Sequence, residues 1–523
     1  MSTAPAVPYP MTSQEVACGW VGGYLDGPDV CGAAAGRTPL QALEDALERA
    51  LRVPPCLLAF SGGRDSSLVL AVAVDVARRR GLPAPVAVTE RFPRDDASDE
   101  HRWQELVVRH LALEEWVRLD ATAAVDLLGE VAVTSLRRFG LLWPPLAHTR
   151  AWFVAELLGG RRSASATTPA VVDCFAGPWP VASPGSPPGP CAGTPLGTLV
   201  DGEGGDELLG ARRLAPVLRL LGSDRSCSVA PRRLLPRAAA RQKPRAEPSP
   251  RPDPAPQVDG IQVDGIQVDG IQVDGIQVDG RQVDGIQVEG RDGRPPPPWT
   301  AAGRLRALRA QVVELAGAVG PAPLRRVVLE RRLGGAELAP WLRPAARLQL
   351  VDQLVAEAVG EPLWWPAATR RHLRHRGLAA GMASIDMVAE AAGVVAVHPL
   401  LDPGVVDAVA EAGGRWGFPD RAGAMSRLFG GVLPGDVQRR RSKARFNATV
   451  LGPRARAFAA SWDGSGVDHD LVDPELLARD WQSELPSALG YAALHAAWLA
   501  SADATVTSTL RGAGQPTGAG PRS

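Results

Sequence analysis

The residue types best suited to chemistry are concentrated in one turn, Ser61-Gly62-Gly63-Arg64-Asp65-Ser66-Ser67. The apolar run Leu57–Phe60 precedes this turn, and an Ala/Val/Leu run that ends at Arg80-Gly81 follows it. This order predicts a buried strand, a loop and a helix that stops at glycine. Glycines let backbone N–H groups approach a phosphate, a helix N-terminus attracts anions, and serine hydroxyls add donors. The turn therefore has the composition of a phosphate-binding loop.

Asp65 is the unusual member of this turn. A carboxylate beside bound phosphates is repulsive unless a hard cation such as Mg²⁺ lies between them, so Asp65 indicates a metal–nucleotide complex. The spacing matches neither a Walker A loop nor a dinucleotide fingerprint. A tight strand-to-helix turn with incidental glycines is the structural alternative.

A second stretch, Asp201-Gly202-Glu203-Gly204-Gly205-Asp206-Glu207, follows the apolar pair Leu199-Val200. Four acidic residues within seven positions repel one another unless a cation lies among them. A metal site and a solvated acidic turn both explain this composition. The stretch alone does not choose between them.

The segments around the first turn have the rhythm of an α/β fold. Residues 85–89 and 115–119 are predicted strands, and a helix between them runs through Leu106 and Leu111. This βαβαβ order predicts a parallel sheet wrapped by helices, with ligands at the carboxyl ends of the strands. The C-terminal half is predicted to be mostly helical. Further predicted helices cover residues 40–51, 125–138, 149–158, 304–319, 345–359 and 382–392.

Composition limits the class of protein. The chain has 523 residues, 57 basic and 57 acidic, and 45% hydrophobic residues, which is ample for a large core without the basic excess of a nucleic-acid-binding protein. We see neither a signal peptide nor an apolar run that could span a membrane, and we expect a cytoplasmic protein with no membrane partner. The six cysteines lack a C-x-x-C spacing, so we expect reduced thiols without zinc.

Together the two stretches resemble the synthetase domain of the asparagine synthetase family, whose members carry the pyrophosphate loop (PP-loop) of ATP pyrophosphatases. That family includes asparagine synthetase, β-lactam and carbapenam synthetases and lasso-peptide macrolactam cyclases. Two later segments resemble family motifs in the expected order: His398–Pro403 is similar to Pro-Phe-Leu-Asp, and Arg441–Phe446 to Arg-x-Lys-x-x-Phe. The resemblance covers residues 51–222 and 321–503, and it implies an adenine-nucleotide α-hydrolase-like fold.

The resemblance implies two cofactors, ATP and Mg²⁺, adenylation of a carboxylate with release of pyrophosphate, and attack by an amine or ammonia. It also implies which residues bind the nucleotide. The backbone around Leu57 and Val88 would face adenine, and Gly202 would complete the nucleotide site. The phosphates would be held by Ser61, Gly62, Gly63, Ser66 and Ser67.

The remaining roles implied by the resemblance concern the metal and the chemistry. Asp65 and Asp206 would hold magnesium, Glu203 would take the proton from the attacking amine, and Lys443 would stabilise the oxyanion. Lys443 also has an argument of its own, because only two of the 57 basic residues are lysine and the other, Lys243, lies in a low-complexity segment. A compact ammonium is suited to a developing oxyanion, and a planar guanidinium does not replace it.

Composition predicts five regions. They are a short N-terminal region (1–50), the ATP-binding half (51–221), a disordered insertion (222–300), a helical second half (301–503) and a disordered tail (504–523). The insertion contains seven Gln-Val-Asp-Gly or Gln-Val-Glu-Gly units at a period of five, which fits neither a helix nor a strand. A β-solenoid or a partner-binding array is the alternative interpretation of these repeats.

Within the N-terminal region, Cys18-Gly19-Trp20-Val21-Gly22 resembles the opening of glutamine-hydrolysing amidotransferases. There the cysteine is the first residue of the mature chain, whereas seventeen residues precede Cys18, and the stretch before the phosphate loop is too short for a glutaminase domain. We interpret it as a vestige or a coincidence. Glutamine is therefore not expected to supply ammonia.

The substrate remains open between several alternatives. Asparagine synthetases carry Glu and Arg just before the Pro-Phe-Leu-Asp segment, where this chain has Val395 and Val397. Free aspartate is therefore a poor match. The alternatives are an intramolecular or peptide amide former of the macrolactam cyclase or β-lactam synthetase type, an ammonia-dependent asparagine synthetase, and a non-catalytic nucleotide-binding scaffold. The implied partners are a small-molecule or peptide carboxylate and amine, with a separate ammonia source or a precursor peptide and its protease.

Overall fold

The computed structural model describes residues 9–26, 36–92, 97–121, 125–150, 153, 197–210, 312–313, 315–334, 338–440, 444 and 446–513. Several predictions concern residues outside these ranges and stay predictions. They are the repeat-containing insertion, most of the helices predicted at 149–158 and 304–319, the role of Lys443, and the tail beyond residue 513.

Within the described ranges, five strands form one all-parallel sheet in the spatial order β3-β2-β1-β4-β5. The predicted α/β class with a parallel sheet is confirmed. The last strand was not predicted, because three residues are too few for a periodic pattern. The strands are β1 Cys56–Ala59, β2 Val86–Arg91, β3 Trp116–Asp120, β4 Thr198–Val200 and β5 Val395–Val397.

The helices of the N-terminal half begin and end at recognisable signals. Thr38 and Gln41 form a capping box at the start of α2, and Gly81 ends α3 at φ +64°. The predicted strand, loop and helix around the glycine turn are confirmed. The described helices are α1 Ser13–Cys18, α2 Pro39–Leu51, α3 Arg64–Arg80, α4 His101–Leu111, α5 Glu130–Phe139 and α6 Gly205–Leu209.

The C-terminal half is mostly helical in its described part, as predicted. Two short 3₁₀ helices, Pro399–Leu401 and Ala488–Gly490, interrupt the sequence of α-helices. The α-helices are α7 Ala322–Gly334, α8 Pro344–Gly360, α9 Trp365–His372, α10 Arg376–Ala391, α11 Pro403–Ala412, α12 Arg421–Phe429, α13 Gly435–Arg439, α14 Asn447–Val450, α15 Pro453–Ser461, α16 Pro474–Gln482 and α17 Tyr491–Ala513. No helix in the described part of the chain is long and apolar enough to cross a membrane.

One predicted helix boundary was wrong, and a helix extends into the predicted tail. The helix predicted from residue 125 begins at Glu130, because the Asp126 side chain accepts the Leu128 N–H at 3.0 Å and the Arg454 N–H at 2.7 Å, which holds a turn there. The tail predicted to be disordered from residue 504 is helical to Ala513.

The sheet separates two hydrophobic cores. Leu57 and Val88 enter a core shared with α8 and α17, whereas Leu58 and Ala87 enter a core shared with α3 and α11. Side chains alternate between the faces of a strand, so both faces are covered by helices, as a parallel sheet requires. Burial on both faces leaves the carboxyl edge of the sheet as the place for a ligand.

The first part of the N-terminal region, around residues 17–20, belongs to the first of these cores, whereas α2 packs in the second. Trp341 donates its indole N–H to the carbonyl of Ala17 at 2.8 Å, and Arg376 forms an ion pair with Glu15. Cys18 is 1% exposed, and burial raises the pKa of its thiol to about 12. The thiolate is the nucleophilic form of cysteine, so a buried thiol with a raised pKa is unsuited to a glutaminase nucleophile.

Candidate nucleotide and metal site

The two polar stretches meet where the strand order reverses, between β1 and β4. In open α/β sheets ligands bind at this switch point, outside the carboxyl ends of the strands. A Cβ on residue 202 would lie 2.7 Å from the Ser66 nitrogen, and one on residue 205 would overlap the Asp65 carboxyl group. Glycine at both positions lets the acidic loop pack directly on the first turn of α3.

The glycine turn forms a compact loop ahead of α3. Gly62 has φ +86°, Gly63 donates its N–H to Ser61 Oγ at 3.2 Å, and the Ser61 and Ser66 hydroxyl oxygens lie 3.0 Å apart. In the described chain, no side chain caps the helix at Gly63. A helix N-terminus without a side-chain cap, next to a glycine turn, is suited to an anion.

Three residues predicted to contact the nucleotide are buried in the fold, and their contacts with a nucleotide stay predictions. Ser67 is 0% exposed, and its hydroxyl has no hydrogen-bond partner among the described residues. Leu57 is paired on both sides, with Val86 and Leu199, and the carbonyl of Val88 accepts the Phe60 N–H at 2.7 Å. The sheet uses these backbone groups, because a central strand bonds to a neighbour on each side.

Asp65 and Asp206 converge on one cation, the guanidinium of Arg421. Arg421 forms an ion pair with each carboxylate, and its own side chain is 15% exposed. Asp65 Oδ1 is buried and has no hydrogen-bond partner within the described ranges. A buried carboxylate pair requires a positive charge beside it, and two carboxylate oxygens are the ligands that Mg²⁺ prefers. The donor set therefore fits the predicted metal.

No group of three or more His, Cys, Asp and Glu side chains in the described ranges is placed to hold a metal ion. Mg²⁺ is usually bound by one or two carboxylates, with phosphate oxygens and water completing its coordination.

Two further arginines surround the glycine turn. Arg440 donates to the Gly62 carbonyl at 3.0 Å and forms an ion pair with Glu100. Burial lowers the pKa of Arg64, and the nearby charges of Arg421 and Arg440 lower it further. Guanidinium groups that repel one another beside a glycine loop favour the binding of an anion.

Glu203 lies at the start of a chain of polar contacts. Arg150 donates to its carboxylate at 3.2 Å, and the Glu203 N–H donates to Asp201 Oδ1 at 3.1 Å. His398 contacts Asp201 at 3.0 Å and Asp386 at 3.2 Å. Burial opposes the charged form of His398, but Asp201 and Asp386 outweigh it and raise the pKa to about 10. An imidazolium therefore orients Asp201, which holds the turn that carries Glu203.

Glu203 lines a small cleft of about 90 Å³ that lies beside the acidic loop. Arg150, Glu203 and Glu207 supply its charged groups. Burial opposes the charged form of Arg150, but Glu90, Glu203 and Asp201 outweigh it and raise the pKa of the guanidinium. The remaining lining is apolar or glycine: Pro144, Leu146, Ala147, Gly377, Leu378, Gly381, Met382 and Ile385.

Sequence analysis missed Arg150, Arg421 and the link from His398 to Asp201. Nothing marks either arginine in a chain whose basic residues are almost all arginine. His398 was part of a motif, and its imidazole contacts follow from β5 lying beside β4. The motif residue Asp402 caps α11 by accepting the Gly404 N–H at 2.8 Å.

Fold and site define an α/β protein with a parallel sheet, a glycine turn before a helix and a carboxylate pair at the switch point of the sheet. No protein-family model and no curated protein matches the chain.

Proposed function

We propose that this protein is an ATP-dependent, AMP-forming ligase that joins a carboxylate to an amine or to ammonia. The observation that carries the proposal is the convergence of Asp65 and Asp206 on one cation directly beside the glycine turn at residues 61–63. A phosphate loop alone suits many nucleotide-binding proteins. A carboxylate in the first turn of its helix suits one that binds the nucleotide with magnesium.

Two steps form the amide. A carboxylate oxygen of the substrate attacks the α-phosphorus of ATP, the bond to the bridging oxygen breaks, and pyrophosphate leaves. The amine nitrogen then attacks the acyl carbon, loses a proton, and AMP leaves. Asp65 and Asp206 would hold magnesium, which neutralises charge on the phosphates.

Glu203 is the candidate base for the second step. Its carboxylate faces the cleft, where Arg150 orients it and the Asp201 side chain holds its backbone. A base that is already positioned acts mainly through proximity, and general base catalysis contributes about 10²–10⁴-fold. The motif resemblance assigns to Lys443 the stabilisation of the oxyanion that forms on the acyl carbon.

The cleft favours an amine or carboxylate with an apolar substituent. Arg150 is the cation among the cleft-lining residues described, and Glu203 is its partner. An apolar wall formed by Leu378, Met382 and Ile385 suits a peptide or an intramolecular substrate better than free aspartate. The macrolactam or β-lactam type of amide former is therefore preferred to an ammonia-dependent asparagine synthetase.

Exchange of labelled pyrophosphate into ATP tests the proposal, with amino acids and candidate peptides screened as the carboxylate. We expect carboxylate-dependent exchange that Asp65→Asn abolishes. Asp75→Asn is the matched control, because Asp75 lies on the same helix with 52% of its side chain exposed and pairs with Arg79. Release of ADP and phosphate in place of AMP and pyrophosphate would contradict the proposal. Nucleotide binding with no exchange for any carboxylate would favour the scaffold.

A further inference from the structure

Arg421 is a largely buried arginine that contacts two carboxylates. It is the first residue of α12, and its guanidinium reaches both Asp65 at the start of α3 and Asp206 at the start of α6. The two carboxylates come from different loops of the sheet, so this one side chain ties the two halves of the site together.

The position also coincides with that of the proposed metal. Both carboxylates that would bind magnesium are already engaged by a monovalent cation. A metal ion bound to these two carboxylates would lie beside the guanidinium, and two positive charges at that distance repel each other, so the two cations compete.

The surroundings offer Arg421 a second partner. Arg421 and Arg440 both lie near enough for their charges to repel that of Arg64, and Arg440 donates to the glycine turn at Gly62. A polyphosphate bound at this turn would attract all three guanidiniums. An arginine displaced from carboxylates by a divalent cation would therefore find phosphate oxygens within the same site.

We propose that Arg421 is a counter-ion switch that competes with magnesium for Asp65 and Asp206 and transfers to the phosphates of ATP when the metal is bound. The inference rests on the proposed ATP site. Metal alone binds weakly, since it must displace Arg421 without giving it a new partner. Metal and nucleotide together bind well, because Arg421 then leaves the two carboxylates to the metal and pairs with the phosphates. Arg421 thus couples the two binding events.

The test measures binding of Mn²⁺, a paramagnetic substitute for Mg²⁺, to the full-length protein by electron paramagnetic resonance. In the absence of nucleotide, Arg421→Gln should bind Mn²⁺ about tenfold more tightly than wild type, because the competing charge is gone. With Mn²⁺ present, the same variant should bind non-cleavable α,β-methylene-ATP about tenfold more weakly, because the phosphates lose a charged donor. The two effects have opposite signs, which a general loss of structure cannot produce.

Arg427→Gln is the matched control. Arg427 lies on the same helix and is exposed, so its replacement removes the same charge without touching the carboxylates. We expect both affinities to remain within about twofold of wild type in this control. Arg421→Lys keeps the charge and loses the planar group that reaches both carboxylates. It should give smaller changes in the same directions, and it provides the test if Arg421→Gln is insoluble.

Unchanged Mn²⁺ affinity in Arg421→Gln and Arg421→Lys would overturn the proposal, and so would weaker Mn²⁺ binding. These measurements need no carboxylate substrate. Failure of pyrophosphate exchange with the Mn²⁺ effect intact would reject the ligase and keep the switch. Exchange with no Mn²⁺ effect would keep the ligase and reject the switch.

Discussion

Gly205 lies against Asp65 so closely that a Cβ atom at position 205 would overlap the Asp65 carboxyl group. The two residues lie in the first turns of helices that follow different strands, and their contact brings Asp206 to the side of Asp65 where both carboxylates pair with Arg421. The absence of a side chain at residue 205 is therefore a requirement of the site.

Gly205→Ala should displace the Asp65 carboxylate and weaken binding of Mn²⁺ with α,β-methylene-ATP by about tenfold or more. The same overpacking should destabilise the fold by about 1–3 kcal/mol in urea unfolding. Gly317→Ala is the control, since a Cβ there would meet only the end of the Val328 side chain, at 3.2 Å. Equal nucleotide affinity in Gly205→Ala and wild type would show that the Asp65 position does not matter.

Glu203→Gln should separate the two half-reactions. The amide keeps the shape and hydrogen bonding of Glu203 but removes the base, so amide formation should slow by about 10²–10⁴-fold while pyrophosphate exchange continues. Product analysis by mass spectrometry beside the exchange assay measures both steps. Glu475→Gln breaks an exposed pair with Arg479 and should leave both rates unchanged. Equal losses in the two steps would assign Glu203 to adenylation.

Lys443→Arg should reduce turnover by about 10²-fold or more if Lys443 stabilises the oxyanion, because a planar guanidinium places its donors differently from an ammonium. Lys443 lies outside the described residues, so this prediction rests on the sequence. The reciprocal exchange Arg439→Lys is a control, since 74% of the Arg439 side chain is exposed. Turnover of Lys443→Arg near that of wild type would remove Lys443 from the mechanism.

His398→Asn should destabilise the protein in a way that depends on pH. The folded-state pKa of about 10 lies above the ordinary histidine value of 6.5, so the protonated imidazole stabilises the fold. That contribution is complete below pH 6.5 and is lost as pH rises to 10. The difference in unfolding free energy between wild type and variant should therefore be largest at pH 6 and shrink by pH 10.

Urea unfolding at several pH values measures this difference, and the exposed His110 provides a control substitution, His110→Asn. A difference that does not change with pH would mean that His398 acts only through packing. Glu203 is linked to His398 through Asp201, so His398→Asn should also slow amide formation more than pyrophosphate exchange.

Local sequence patterns determined the elements of the candidate site. The run from Leu57 to Gly81 specifies a strand, a glycine turn and a helix within one continuous segment, and all three are present. Such a prediction succeeds because a continuous apolar run, typical of a strand buried on both faces, and the residues that end a helix are local features of the sequence. The strand at Val395–Val397 was missed because it exists only by pairing with β4.

The sequence by itself determined the α/β class, the glycine turn and the acidic loop, because each depends on residues that are neighbours in the chain. Only the tertiary structure decided which charges meet. Arg421 lies 356 positions from Asp65, and His398 lies 197 positions from Asp201. Contacts over such distances depend on how the strands are ordered and on which loops share an edge of the sheet. The residues next to an arginine or a histidine in the sequence do not indicate how the strands are ordered, so they do not predict these contacts.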